Sequence, residues 1–333
     1  MLPRAPRPLF RKLVLSSAKV PRRMPSISTI IPTYNRANFI GEALESALQQ
    51  TRPADEIIVV DDGSTDDTEK IVAQYAGKVR YIRQENAGPS AARNRGFQAA
   101  AGDCIALLDS DDLWVNDKLE RQLATLAQHP DLDLIFGLEA KFNAGNQSEP
   151  PAINDQDYFD CLNSVDCIIP DAFGLLLKEN FFVATSSVLF RKSCIQKVGL
   201  LDVTVRLAED YEYWLRFALE GFRFGFINAV LCRRRLHRGN LINESLATKA
   251  SVAEVLARYR DRSPAHRERL LRKLSGLHYD LGSAFLKIGD WSDAYLHLKA
   301  GRPVNQKELQ WLLKLAAASV FRWLPRKRVS SSC

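Results

Sequence analysis

CIALLDSDDLW, residues 104–114, sets a short apolar run directly against three carboxylates. The run 104–108 is continuously apolar, which predicts a strand buried on both faces, as in a parallel sheet covered by helices. Asp109, Asp111 and Asp112 follow at once. Like charges this close repel, and desolvating them is costly unless something positive compensates. In an extended chain Asp109 and Asp111, two residues apart, share one face. Two carboxylates on one face suit a hard divalent cation, Mg2+ or Mn2+, which keeps waters and takes further oxygens from a phosphate. Arg93 and Arg95, in the preceding segment, offer the further positive charge a diphosphate needs, although Arg93 also reads as an ordinary surface ion pair.

Outward from this stretch, short apolar runs alternate with helical segments. A strand at 27–31 is expected to stop at Pro32, and Asn38 to cap a helix over 39–50. A second strand, 56–60, runs into the turn Asp61-Asp62-Gly63-Ser64, and Asp66-x-x-Glu69 reads as a capping box opening the next helix. A strand at 79–82 and a helix at 90–100 complete the series. The alternation predicts an α/β fold with a mostly parallel central sheet and helices on both faces. Polar clusters then follow strands one, two and four, at the carboxyl ends where open parallel sheets bind ligands.

The middle of the chain is less regular. Residues 143–170 read as a long loop near the site and 182–190 as a strand. A helix over 208–219 turns Tyr211, Leu215, Phe217 and Ala218 inward, and two short strands, 222–227 and 230–234, come next. Beyond about 242 the pattern is helical. Residues 278–301 resemble one helix–turn–helix of a tetratricopeptide repeat, without a 34-residue period. The last helix, expected over 309–324, is apolar and followed by Pro-Arg-Lys-Arg. It is too short to span a bilayer, and both packing on the domain and lying in a membrane interface stay open.

Composition narrows the class. With 46% hydrophobic and 26% charged residues, the 333-residue chain can bury a proper core. The net charge of +7 is uneven: residues 1–30 hold seven basic side chains and no acid. This leader, expected to be disordered over 1–25, lacks the apolar core of a secretory signal. It also lacks the interleaved aromatics of a nucleic-acid arm, so no nucleic-acid partner is expected. The six cysteines form no CxxC and read as reduced, small apolar side chains. No GxGxxG follows strand one and no GxxxxGK[ST] occurs, which counts against dinucleotide-binding and P-loop folds.

Four motifs occur in order: IPTYNR (31–36), VVDDGSTD (59–66), NAGPSAARN (86–94) and LDSDD (108–112). Together they make residues 28–114 resemble the nucleotide-sugar half of an inverting family 2 glycosyltransferase of GT-A fold. The resemblance implies that Pro32, Thr33 and Tyr34 border the nucleoside base. Asp61 would accept a hydrogen bond from the pyrimidine ring, and Asp62 would shape its turn. Arg93 would lie against the nucleotide, while Asp109, Ser110 and Asp111 grip ribose, Mn2+ or Mg2+ and diphosphate. A Glu-Asp pair before a Trp-containing helix matches Glu209 and Asp210, with Asp210 as general base and Glu209 orienting the site. The bland alternative is that both acids merely favour a helix N-terminus. Residues 185–190 resemble the acceptor-side strand, and RLHRGN (235–240) a motif whose His237 would reach metal or diphosphate; His237 also reads as a plain surface residue.

The implied partners are a nucleoside diphosphate sugar, UDP-linked by preference, and a saccharide or lipid-linked acceptor. The implied setting is bacterial surface polysaccharide assembly in the cytoplasm, with a possible seat on the membrane face. Residues 26–114 would form the donor half, 115–240 the acceptor half and 241–333 a helical extension. Two alternatives fit the residues less well. A sugar-phosphate nucleotidyltransferase should carry a glycine-rich loop after strand one, and PTYNRANF has no glycine. A non-catalytic scaffold would have no need of Asp61, Asp109, Asp111 and Asp210 together.

Overall fold

The structure is a computed structural model describing residues 24–143, 168–178, 183–237, 246–301 and 308–321. The elements run β1 Ile27–Thr33, α1 Ile40–Leu48, β2 Glu56–Asp61, α2 Thr68–Ala73, β3 Arg80–Arg83, α3 Pro89–Ala99, β4 Cys104–Leu107 and β5 Leu113–Trp114. Then come α4 Lys118–Gln128, β6 Leu134–Asn143, β7 Ile168–Ile169, α5 Ala172–Leu176, β8 Leu189–Arg191, α6 Ile195–Val198, α7 Glu209–Leu219 and β9 Phe224–Leu236. Four helices follow: α8 Leu246–Tyr259, α9 Arg267–Ile288, α10 Trp291–Ala300 and α11 Glu308–Phe321. One sheet orders the strands β3-β2-β1-β4-β8-β6-β9-β5, with β7 also on β9. Strands β1, β2, β3, β4, β6 and β9 run one way, and β5, β7 and β8 the other, so the sheet is mostly parallel as expected.

Alternation along the strands divides the core. Ile30, Ile58, Val60, Ile105 and Leu107 face one layer with α3 and α7; Ile27, Ile31, Ile57, Val59 and Ala106 face the other with α1 and α4. Gly96 lets α3 lie against β1, because a Cβ there would sit 2.4 Å from Ile30 Cγ2. That close approach places Arg93, one turn earlier on α3, beneath the end of β4.

Several local expectations yield to tertiary context. Pro32 does not stop β1, which pairs on to Thr33↔Asp61; its missing N–H lies past the last β4 pair, Ile30↔Leu107. Asn38 does not cap α1, whose cap is Phe39 without a side-chain bond. Asp66 forms no capping box; its carboxylate instead accepts from Thr68 and from the Ala37 N–H at 3.0 Å. Residues 185–187 form a 3-10 turn rather than strand, since the Ser187 hydroxyl bonds the Ala184 carbonyl at 2.8 Å. The two strands expected over 222–234 are one, β9, bulged where Ile227 and Val230 meet successive residues of β6. The expected 143–170 loop mostly falls outside the described residues, as do the leader, Arg238-Gly239-Asn240 and the basic run after 321. Cys104, Cys194 and Cys232 are free and buried.

Lys118 is fully buried between the sheet and α4, its Nζ bonded to Gln122 Oε1 at 2.9 Å and Val188 O at 3.4 Å. It also lies 4.1 Å from the Trp114 ring centroid. Burial pulls its pKa from 10.5 down to about 7. Between those values the unfolded chain holds a proton that the folded protein has released, so stability rises with pH through that window. Denaturant unfolding at pH 7, 8 and 9 should show a rise of about 1 kcal/mol per pH unit that Lys118→Met removes. Parallel slopes in both proteins would place the pH dependence elsewhere.

Candidate functional site

The turn after β4 is where sequence and structure part most usefully. The Asp112 N–H donates to the Asp109 carbonyl at 3.0 Å, so 109–112 is a reverse turn and not extended chain. The turn separates the carboxylates and gives each its own partner. Asp109 Oδ1 accepts from Arg93 at 2.7 Å. Asp111 Oδ2 accepts from Arg36 Nε at 3.1 Å and lies 3.1 Å from His237 Nε2. Asp112, 4% exposed, accepts from Ser186 Oγ at 2.6 Å and the Arg235 N–H at 3.2 Å. Burial, then the charges of Asp109 and Asp111, pushes its carboxyl well above the usual carboxylate range. Arginines therefore supply the positive charge that the sequence demands.

Arg93 joins the two halves of the cleft. Beside Asp109 it holds Glu209 Oε1 at 2.8 Å, across 116 residues of chain. Burial works against its charge, but Asp109 and Glu209 outweigh that and push its pKa up. Both carboxyls are raised by their own burial, with Arg93 opposing. Arg95, by contrast, is exposed and does not line the cleft.

Glu209 and Asp210 open α7, preceded by Ala208 in the left-handed region at φ 60°. A non-glycine residue held there is strained, and the kink aims both acids into the cleft. Thr185 Oγ1 donates to Asp210 Oδ2 at 2.8 Å. Its neighbour Ser186 accepts from the Asp109 N–H at 3.1 Å, and Trp114 Nε1 donates to the Ser186 carbonyl at 2.7 Å. Gln122 Nε2 holds the Ser187 carbonyl at 2.8 Å. The 185–187 turn thus ties the candidate base to the carboxylate turn over a buried polar floor.

On the other side, Pro32, Thr33 and Tyr34 line the cleft, and the buried Thr33 hydroxyl has no hydrogen-bond partner among the described residues. Asn35, at φ 51°, locks the loops after β1 and β2 together: its N–H donates to Ser64 Oγ at 2.9 Å and its Oδ1 accepts from the Thr65 N–H at 2.8 Å. Asp62 holds the 84–88 loop through the Ala87 and Gly88 N–H groups at 3.0 and 2.7 Å. Asp61 departs from expectation. It is fully buried, takes the Ser64 N–H at 2.8 Å and the Tyr81 hydroxyl, and does not line the cleft. β3 brings Tyr81 to Asp61, so the chain's own groups occupy the carboxylate expected to read the base.

The cleft measures about 490 Å³ and gathers Thr33, Tyr34, Arg36, Asp62, Arg93, Asp109–Asp112, Thr185, Arg206, Glu209, Asp210 and Arg234. Arg36 belongs to the IPTYNR motif, whereas Arg206 and Arg234 carry no motif signal. Among the described residues no three metal-type side chains gather. Asp111 and His237 do approach, with the His237 ring held 4.6 Å from that of Phe39. The Asp111 carboxylate suits Mn2+ or Mg2+ when substrate phosphates supply further oxygens, and an imidazole beside it is a softer ligand that fits Mn2+ better than Mg2+. Asp109, committed to Arg93, stands second to Asp111 for that part.

Residues 28–197 match the model of glycosyl transferase family 2. The chain is 34% identical over 229 residues to an uncharacterized glycosyltransferase of Rickettsia prowazekii (strain Madrid E), covering 67% of each. It is 44% identical over 231 residues to the putative teichuronic acid biosynthesis glycosyltransferase TuaG of Bacillus subtilis (strain 168), covering 67% of this chain and 82% of that one. Its fold matches that of S. aureus TarS 1-349 solved in complex with UDP, with a TM-score of 0.64 over 89% of each chain at 18% identity. Pyrobaculum calidifontis PcManGT, solved with GDP-Man and Mn2+, matches with a TM-score of 0.58 over 91% of this chain and 82% of that one at 20% identity. The chain belongs to glycosyl transferase family 2, and it is a glycosyltransferase of GT-A fold.

Proposed function

We propose that the protein transfers a sugar from a nucleoside diphosphate sugar, UDP-linked by preference, to an acceptor hydroxyl with inversion at the anomeric carbon. One observation carries this reading: a single buried guanidinium, Arg93, holds the carboxylate turn of the donor half against Glu209, next to Asp210. Donor site and candidate base therefore face one cleft. Pro32, Thr33 and Tyr34 border the base. Arg36 and Arg93 face the diphosphate. Asp111 and His237, with Asp109 beside them, would hold Mn2+ or Mg2+, which stabilises the leaving diphosphate. Asp210, held by Thr185, takes the proton of the acceptor hydroxyl in the single displacement that inversion requires.

TarS has been solved with UDP and with UDP-GlcNAc, and PcManGT with GDP-Man and Mn2+, which supports a donor of this class and a metal. TuaG's name supports a cell-surface polysaccharide as product. On this reading 26–240 is the catalytic domain and the acceptor is a saccharide or lipid-linked saccharide, elongated at the cytoplasmic face of a membrane. Calorimetric titration of UDP, GDP, dTDP and CDP, with and without Mn2+, tests it. One diphosphate, UDP, should bind, and chelating the metal should weaken it about 10-fold or more, with Asp111→Ala insensitive to metal. Binding by none of the four in folded protein would sink the reading.

A further inference from the structure

Helix α11 carries its side chains the wrong way round for a surface helix. Lys314 points inward, where its Nζ donates to the Tyr279 hydroxyl at 3.0 Å and Ser283 Oγ at 2.8 Å. The same face seats Trp311, whose Nε1 donates to the Leu298 carbonyl at 2.7 Å, and Ala318, which is fully buried. The opposite side is apolar and open: Leu312, Leu313 and Val320 are 48, 64 and 68% exposed. At about 100° per residue, positions 312, 313, 316 and 320 fall on one stripe, all of them apolar. Phe321, 43% exposed, lies beside Lys314 around the helix, its ring 5.2 Å from that of Trp291. An ordinary surface helix puts its charges out and its apolar stripe in, so a helix apolar on both sides is built to be covered on both.

Charge decides what covers it. No carboxylate occurs in the sequence after Glu308, while Arg322, Arg326, Lys327 and Arg328 follow the helix. The matching stretch of a second copy would supply no carboxylate to this basic run, whereas an anionic surface neutralises it. Among the described residues no helix is long and apolar enough to cross a membrane, so the fitting mode is one that lies in the interface plane. Aromatic side chains such as Trp291 and Phe321 suit that level.

We propose that the outer face of α11 docks the protein on an anionic lipid surface, with Leu312, Leu313 and Val320 entering the acyl boundary. This seat does not depend on donor, acceptor or metal, because vesicle binding is read without substrate. Flotation of the full chain would use phosphatidylcholine vesicles with and without about 30% phosphatidylglycerol. The protein should bind the anionic vesicles about ten-fold better than the neutral ones and release in high salt. The double variant Leu313→Asp/Val320→Asp should lose about ten-fold or more of that binding while keeping UDP affinity and circular dichroism. The milder Leu312→Ser/Leu313→Ser pair gives the same reading if the first misfolds. Wild type left unbound, equal binding to both vesicle types, or variants that float like wild type would each overturn the proposal. So would a wild-type dimer in sedimentation velocity that the variants dissolve without any vesicle binding.

Discussion

Replacing Asp210 by Asn is expected to lower kcat by roughly 10³-fold while leaving nucleotide affinity within about 2-fold of the parent. The substitution keeps the size of the side chain and its ability to accept from Thr185, which now sits 2.8 Å away. It removes the capacity to take a proton. An interaction needed only as the acceptor oxygen attacks should appear in kcat and not in binding of the free nucleotide. Thr185→Val separates orientation from chemistry. It keeps the carboxylate but frees its rotamer, and a loss of about 10-fold in kcat is expected. Glu209→Asn is not an equivalent control, since Glu209 also neutralises Arg93. Steady-state kinetics with UDP titration checks both. An Asp210→Asn enzyme within about 10-fold of wild type would move the base elsewhere in the cleft.

The parts of this site that were legible are those written in local sequence. The strand runs, the polar clusters behind them and the order of the four motifs all lie within 28–114, where β1, β2 and β3 pair with their neighbours in sequence. What the sequence hid depends on distant partners. Asp109-x-Asp111 has the same spacing in an extended chain and in a turn; the choice falls to Ser186 and Arg235, which grip Asp112 from 74 and 123 residues away. Residues 185–187 look like the start of a strand until their hydroxyls find the Ala184 carbonyl, Asp112 and Asp210. β6 escapes an alternation reading because its main partner, β9, enters some 90 residues later and with a bulge. Asp61 shows the limit from the other side: a motif marked the residue, while the orientation of its carboxylate was set by Tyr81 on β3.

Arg93 is where stability and function meet, and its loss should be felt first in folding. Its side chain is 7% exposed and carries two ion pairs, to Asp109 and Glu209, which are 32% and 12% exposed. Arg93→Met leaves both carboxylates facing each other and Asp210 across a partly buried cleft. Breaking a buried pair by removing one partner costs about 3–5 kcal/mol, and Asp109's remaining access to water points to the lower end, about 3 kcal/mol. Arg93→Lys should recover less than half, because an ammonium cannot span two carboxylates as a planar fork does. The decisive comparison is the double variant Arg93→Met/Glu209→Gln. Neutralising Glu209 removes half of the stranded charge, so the double variant should be more stable than Arg93→Met alone, by about 1 kcal/mol or more. Simple loss of packing predicts the reverse, with the second substitution adding to the first. Denaturant unfolding of the four proteins in this cycle separates the two accounts. A double variant less stable than Arg93→Met would mean that Arg93 supports the cleft by shape, and the electrostatic link between donor turn and candidate base would have to be abandoned.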